Sequence, residues 1–490
     1  MGKLLVTDFT TYKYRYQIGY GLILLVLITL LVVAGLYVPG GLSDAEMKST
    51  VISSGITTAN LASFTIVDLP YYLLQKASLA VFGITTFSIK LPSLLLGFLS
   101  AIGMFLLLRR WFKHNIAVIA SSLTIATGQF LFVSQNGTPS IMFIFWSIYL
   151  LLVAMLVVRN SRHSTLWTFA FFIGAALSLY TPLSAYVLLA IGSAALLHPH
   201  LRFMVRRLSK LKFVGAALLS LVLLIPLIYG IYKSPNLGLE LLGVPGVWPN
   251  FGSNLSQLVT QYFDIISPTS GIIMTPIFSF GSIALIILGL LHIIRARHTA
   301  RSYIISVWGL LLIPILLINP GFVSITFVPL VLLLATGVQT LLHQWYRLFP
   351  KNPYARIIGL LPLTILVGGL LLSGIERYMY GYHYDPRTAT SFSRDLRLLN
   401  QELRKSSGDI TLVSSKEHEA FYQAVANNKT QHKNVTLQVA TTMPTTATTV
   451  LVERSQYKTT NVASMPLQKI LTDTRTDQAD RFYLYKNTSK

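Results

Sequence analysis

The chain contains no cysteine among its 490 residues, and its 17 Asp and Glu face 39 Lys and Arg. The first absence removes disulfide frameworks, thiolate zinc sites and cysteine nucleophiles. Charge of either sign is scarce, at 11% of residues, whereas 53% are hydrophobic and the mean hydropathy is +0.60. That leaves too little polar surface for a water-soluble globule, so the composition is that of a multi-pass membrane protein.

A helix needs about 20 mostly apolar residues to cross a bilayer, fewer where its ends snorkel. Eleven stretches qualify, near 18–38, 91–108, 116–133, 141–158, 166–180, 185–197, 214–231, 273–294, 302–318, 322–342 and 357–375. The fifth and sixth are short and separated by the four residues 181–184, which fits a tight re-entry at the membrane face; the alternative is one kinked segment, and an even count would put the C-terminus on the other side. Loop charge then sets the orientation. The N-terminal segment and the loops after each even-numbered span hold 19 Lys or Arg, and the opposite loops before residue 376 hold four: Lys48, Lys76, Lys90 and Lys233. Basic residues are retained in the cytoplasm, which puts the N-terminus inside and the tail outside a plasma membrane. The formal charge of +22 is mostly this topology signal, with contact to anionic inner-leaflet lipid. Spread over six loops, it makes no nucleic-acid-binding face. The first span has too long an apolar core for a signal peptide, and no A-x-A-like cleavage site follows, so it reads as a retained anchor.

The few acids are unevenly placed. Eleven of the 17 lie from Glu376 onward, and five of the other six fall in the two long outside loops, 39–90 and 232–272. Asp44, Glu46 and Asp68 are in the first, Glu240 and Asp264 in the second. Loops this long are usually functional or disordered. The first carries two amphipathic surface helices, one opened by Ser43 or Asp44 as N-cap and ended by Gly55; the second carries interfacial aromatics. All seven histidines before residue 376 lie in or beside inside loops. General-base chemistry at the outer face of the membrane part therefore falls to a carboxylate, with Asp44 and Asp68 the candidates. A helix N-cap is the alternative role of each.

Residues 43–112 contain, in order, "SDAE", "SSG", "LPYYLLQKASLAVFG", "IKLPSLLLGFLS" and "LLLRRWF". This series resembles the opening of the GT-C glycosyltransferase superfamily, in the branch of protein O-mannosyltransferases and the aminoarabinose transferases that modify lipid A. "FLFVSQNGTPSIMFIFW" and "LSLYTPLSAYVLL" resemble later span junctions of that branch, so the likeness covers roughly residues 18–230 and the remainder in general plan. It implies a membrane-embedded enzyme that uses a polyprenyl-phosphate-linked sugar and transfers it with inversion at the outer face. Three departures stand out: Ala45 where the family has a second acid, with Glu46 one place on; a first helix about one turn short; and Ser140 where many members carry an acid. They leave a divalent metal possible but not required, and place the weight on Asp44 as base. Glu46 and Asp68 become secondary acceptor or metal contacts, so Glu46→Gln is expected to cost less activity than Asp44→Asn.

The developing charge on the lipid phosphate needs a cation. Lys233, Arg377 and Lys90 are the candidates. Lys90 stands at the Arg of the family's "RLPS", with snorkelling to the interface as its alternative role. Lys48, one turn after Asp44, reads as its i,i+4 ion-pair partner. Tyr71, Tyr72 and Trp248 are candidates for stacking on sugar or prenyl groups, or else belt residues. If the two long loops form one site, Asp44 and residues 236–264 line it together.

From about residue 390 the composition turns polar. A helix, "DLRLLNQELRK", precedes the strand-like runs "DITLVSS", "VTLQVA", "TVLVE" and "RFYLYKN". His383, His418 and His432 would be metal ligands only if clustered. The expectation is thus an all-α polytopic membrane protein, GT-C-like, with about eleven transmembrane helices over 1–389, N-terminus in and C-terminus out, and a small extracytoplasmic α/β domain over 390–490. Its partners are membrane lipid, a polyprenyl-phosphate sugar donor and an acceptor that is protein, lipid or glycan. Two other functions fit such a chain: a transporter or flippase for lipid-linked saccharide, and a silent scaffold of the same fold. A transporter usually carries ionisable residues near the midplane of its spans. Here the spans as drawn hold none away from their ends.

Overall fold

The structure is a computed structural model, and the residues it describes are 14–57, 64–158, 163–206, 209–264, 274, 276–296, 298–348, 353–383, 391–406, 408–428, 435–442, 449–457, 465–473 and 480–486. His432 lies outside them.

A helix or a bent helix pair falls on each of the eleven apolar stretches, on the eighth only from Phe280 onward. In chain order the first elements are α1 (Arg15–Leu36), the surface helices α2 (Asp44–Gly55) and α3 (Leu69–Phe82), then α4 (Thr86–Trp111), α5 (His114–Ile125), α6 (Gly128–Gln135) and α7 (Ile141–Val158). There follow α8 (Ser164–Ser178), α9 (Ser184–Leu197), α10 (Pro199–Arg206) and α11 (Lys210–Lys233), then α12 (Pro235–Leu241) and α13 (Phe251–Phe263) in the second long loop. The last membrane-type helices are α14 (Phe280–Arg295), α15 (Ala300–Ile318), α16 (Phe327–Leu348) and α17 (Pro353–His383). Among the described residues seven helices are long and apolar enough to cross a membrane alone, and nine segments are if the pairs α5/α6, bent by 60°, and α9/α10, bent by 95°, count as one each. α8 and α14 are shorter apolar helices.

Inside a bilayer there is little hydrophobic force between helices, so close association depends on small residues that let backbones meet. α14 and α16 cross in this way. A Cβ at Gly289 would collide with the Leu333 carbonyl, and one at Gly337 with the Leu285 carbonyl. The short α6 is buried along its whole length, and Gln129 on it ties distant segments by accepting the Met274 amide at 2.8 Å and donating to Ser324 at 3.2 Å.

The tail forms α18 (Asp395–Lys405), β1 (Gly408–Val413), α19 (Glu419–Asn427), β2 (Val435–Ala440), β3 (Thr449–Glu453), β4 (Leu467–Thr472) and β5 (Asp480–Lys486). The sheet order is β2-β1-β3-β5-β4, with β1 parallel to β2 and β3, and β5 antiparallel to β3 and β4. Four of these strands are the expected runs. The fifth, β4, is an edge strand with mostly exposed side chains, so it lacks the apolar alternation that marks a half-buried strand. The tail shares a core with the first long loop: Leu42, Met47, Leu79, Ile84 and Ile89 pack with Leu396, Leu399 and Phe421. Leu42 and Ser393 form a short antiparallel bridge beneath that core.

Candidate active site

The first turn of α2 decides where its two acids point. Ser43 is the N-cap, and it closes a capping box with Glu46: the Ser43 amide donates to Glu46 Oε2 at 2.7 Å, and the Glu46 amide donates to Ser43 Oγ at 3.4 Å. The box turns Glu46 inward, where it is fully buried. Its other oxygen accepts the Gly137 amide at 2.7 Å and lies 3.4 Å from Lys90 Nζ, which is also fully buried. Lys90 donates in turn to Gln135 Oε1 at 2.5 Å. This staple joins the first loop, the start of α4 and the turn after α6. Lys90 therefore does not snorkel. Its charge is neutralised inside the protein, and the turn that carries Ser140 supplies a backbone N–H to the centre; Ser140 itself is 3.1 Å from the Thr138 hydroxyl.

Asp44 occupies the first helical position after the cap and points the other way, with its side chain 79% exposed. Its Oδ1 is 3.7 Å from His418 Nε2, a residue of the tail, while Lys48 is exposed. His418 Nδ1 is 2.9 Å from Glu453 Oε1, and Glu453 Oε2 accepts the Ser415 amide at 2.9 Å. The hydrogen bond to Glu453 raises the imidazole above its ordinary value against the effect of burial, with Asp44 and Asp395 adding to the rise. Burial pushes Glu453 upward, but the bonds from His418 and Ser415 outweigh it and hold the carboxyl below the usual range.

Asp68 forms a separate centre. It sits at the N-cap position of α3 with φ of 55°, in the left-handed region, and its side chain makes no capping bond. Its amide donates to the Tyr180 carbonyl at 2.8 Å. The carboxylate is buried beside Thr181, but among the described residues neither Asp68 Oδ1 nor the Thr181 hydroxyl has a hydrogen-bond partner of normal geometry. Burial pushes this carboxyl up to about 7, with Thr181 pulling the other way and the charge of Glu240 adding to the rise. Among the described residues the second long loop thus meets the first at Asp68 and not at Asp44. The junction is completed by the Leu183 amide on the Leu241 carbonyl at 2.8 Å and by packing of Ile56, Leu69 and Leu241.

The remaining candidates are dispersed. Tyr71 is fully buried with its hydroxyl 2.8 Å from Ser93, and half-buried Tyr72 meets it edge-on. Trp248 is 86% exposed beside Phe251, and exposed Lys233 lies 5.8 Å from the Tyr229 ring. Arg377 on α17 donates to the Asp264 carbonyl at 3.4 Å, and its neighbour Tyr378 donates to the Val38 carbonyl at 2.6 Å. These two residues link the end of the second loop to the start of the first. A groove of about 550 Å³ runs between α14, α15 and α16, with Tyr262, Phe263 and Thr326 among its lining. A second apolar cavity of about 700 Å³ includes Arg110 and Trp111, at the far end of α4 from Lys90. Among the described residues no three His, Asp or Glu side chains come together in a way that would hold a metal ion.

Gln135, the Gly137 amide and Glu453 were not legible as site groups from the sequence. "SQNG" offered only a turn signal, and Glu453 is one acid at the end of a strand.

A family model described as dolichyl-phosphate-mannose-protein mannosyltransferase matches residues 69–229. The structure resembles that of ArnT from Cupriavidus metallidurans bound to undecaprenyl phosphate, with a TM-score of 0.54 and 14% identity, over 96% of this chain and 98% of that one. The chain has the GT-C fold. The apo state of the same ArnT matches this chain with a TM-score of 0.51 and 14% identity, over 97% and 99% of the two chains. An oligosaccharyltransferase from Archaeoglobus fulgidus, solved with zinc and sulfate, gives 0.47 and 12% over 89% and 68%. No curated protein matches. The family match begins after α2, so Asp44 and Glu46 lie outside it and rest on the geometry of this chain itself.

Proposed function

We propose that this protein is an inverting glycosyltransferase that moves a sugar from a polyprenyl-phosphate-linked donor to an acceptor hydroxyl at the outer membrane face. The observation that carries the reading is an exposed acid, Asp44, at the first turn of the first loop helix, in a GT-C fold that runs nearly the whole chain. Its backbone is held by the Glu46–Lys90–Gly137 staple, so the carboxylate is fixed at the membrane surface yet open to an acceptor. Asp44 takes the acceptor proton as the hydroxyl oxygen attacks the anomeric carbon, a role that typically contributes 10²- to 10⁴-fold. Glu46 holds Asp44 in place. Lys90 is committed to Glu46 and Gln135, which leaves Arg377 as the best-supported phosphate partner. It contacts Asp264, next to Phe263 of the apolar groove, and that groove is of a kind to take a prenyl chain.

The test is sugar transfer by purified protein. Because Ser43 and not Asp44 caps α2, Asp44→Asn should fold normally and lose about 10²-fold or more in rate. Full activity in that variant would remove the role of Asp44. Absence of transfer by the wild type over a range of polyprenyl-phosphate donors would favour the silent scaffold.

A further inference from the structure

The histidines of the membrane part lie on the basic-loop side, yet the tail carries an imidazole to the acid on the first outside helix. His418 opens α19, which packs on α2 through the core shared by the two domains. Its two ring nitrogens face different carboxylates: Nδ1 is 2.9 Å from Glu453 and Nε2 is 3.7 Å from Asp44. Glu453 has 7% side-chain exposure and is fixed by the Ser415 amide, so it orients the ring. A carboxylate on Nδ1 keeps the proton on that nitrogen and leaves the Nε2 lone pair directed at Asp44. This is the arrangement by which a buried acid turns an imidazole into a positioned base. The contact at 3.7 Å is longer than a hydrogen bond, as such contacts often are without substrate, and closes with a shift of less than about 1 Å.

We infer that His418, oriented by Glu453, is the terminal proton acceptor of the transfer reaction, relaying the acceptor proton away from Asp44. The inference rests on the glycosyltransferase reading. As the acceptor oxygen bonds to the anomeric carbon, its proton passes to Asp44 and then to His418 Nε2. The bond from sugar to phosphate breaks, and its electron pair leaves with the lipid phosphate. Asp44 returns to a carboxylate, and the imidazolium is flanked by Asp44 and Glu453, with Asp395 close enough to add to its stabilisation. Asp395 is itself paired to Arg481 at 2.5 Å, and Tyr422 meets the imidazole edge-on, so neither supplies a competing base. The tail therefore contributes a group to the reaction.

Two variants and a pH profile test this. His418→Asn keeps an N–H donor for Glu453 but has no second basic nitrogen, and His418→Ala opens a space for free imidazole. Both should fold, as judged by melting temperature, and lose about 10²-fold in kcat/KM. The low-pH limb of the wild-type profile, where protonated His418 can accept nothing, should disappear in both. Added imidazole should restore His418→Ala and not His418→Asn. Wild-type rates with the wild-type low-pH limb in His418→Asn, or no rescue of His418→Ala by imidazole, would overturn the relay while leaving the transferase reading intact. A wild type without transferase activity would overturn both.

Discussion

Glu46→Gln is the perturbation whose outcome the structure most changes. Both oxygens of Glu46 face donors: the Ser43 amide and hydroxyl on one side, the Gly137 amide and Lys90 Nζ on the other. A glutamine must set its NH₂ against one of those donor pairs, whichever way the amide is turned. It also leaves the Lys90 charge buried without its counter-ion. Removing one partner of a buried ion pair costs about 3–5 kcal/mol, because an uncompensated charge remains. For a chain of this size that is a fall of roughly 3–10 °C in melting temperature. Thermal unfolding of detergent-purified protein reads it directly. Adding Lys90→Met removes the stranded charge, so the double variant should recover at least half of the loss, whereas independent sites would add. A Glu46→Gln protein that melts within 1 °C of wild type, or a double variant as poor as the sum of the singles, would refute the staple. The expectation that Glu46→Gln is the milder change at the acid pair is thereby revised. It should cost more stability than Asp44→Asn, and whatever activity it loses should follow from misplacing Asp44.

Asp68 makes stability depend on pH. Its carboxyl rises from an ordinary 3.8 to about 7 on folding, so the folded state holds the extra proton; the Asp68 contribution to stability is greatest below pH 4, falls as pH rises to about 7 and is level above. At 1.36 kcal/mol per pH unit the fall is about 4 kcal/mol, and Asp68→Asn should flatten it and melt higher than wild type at pH 8; a parallel pH–melting curve for the two proteins would contradict this. A reporter fused after Asp385 should appear on the outer face and one placed between Arg295 and Arg301 on the cytoplasmic side, on the strength of the 19-to-4 loop asymmetry; both on one side would end the proposed orientation.

Membrane segments were legible because their signal is one of composition over about 20 residues, which needs no knowledge of neighbours. The bends were not. Nothing in the apolar run through Ile125 and Gly128 announces a 60° break, since its cause is tertiary: α6 turns aside to bury all eight of its residues and to let Gln129 bond to Met274 and Ser324. The edge strand β4 escaped for the opposite reason, as its exposed side chains carry no alternation and its pairing with β5 is a backbone matter.

The site was legible in its residues and illegible in its partners. "SDAE" marked a helix start with two acids, and the S-x-x-E spacing of a capping box was there to be read. That spacing alone sends the third residue after the cap back toward the backbone and leaves the first free. It therefore separates a structural Glu46 from an available Asp44. What no local pattern carries is the other half of each contact. Glu46 meets Gly137, 91 positions away, and Asp44 meets His418, which reaches it only because the tail folds back to share a core with α2 and α3. A lone histidine in a polar tail has no periodicity and no motif, so its role is set by docking. The same docking sets Glu453 and His418 beside Asp44 on α2, and that juxtaposition is what the proposed relay rests on.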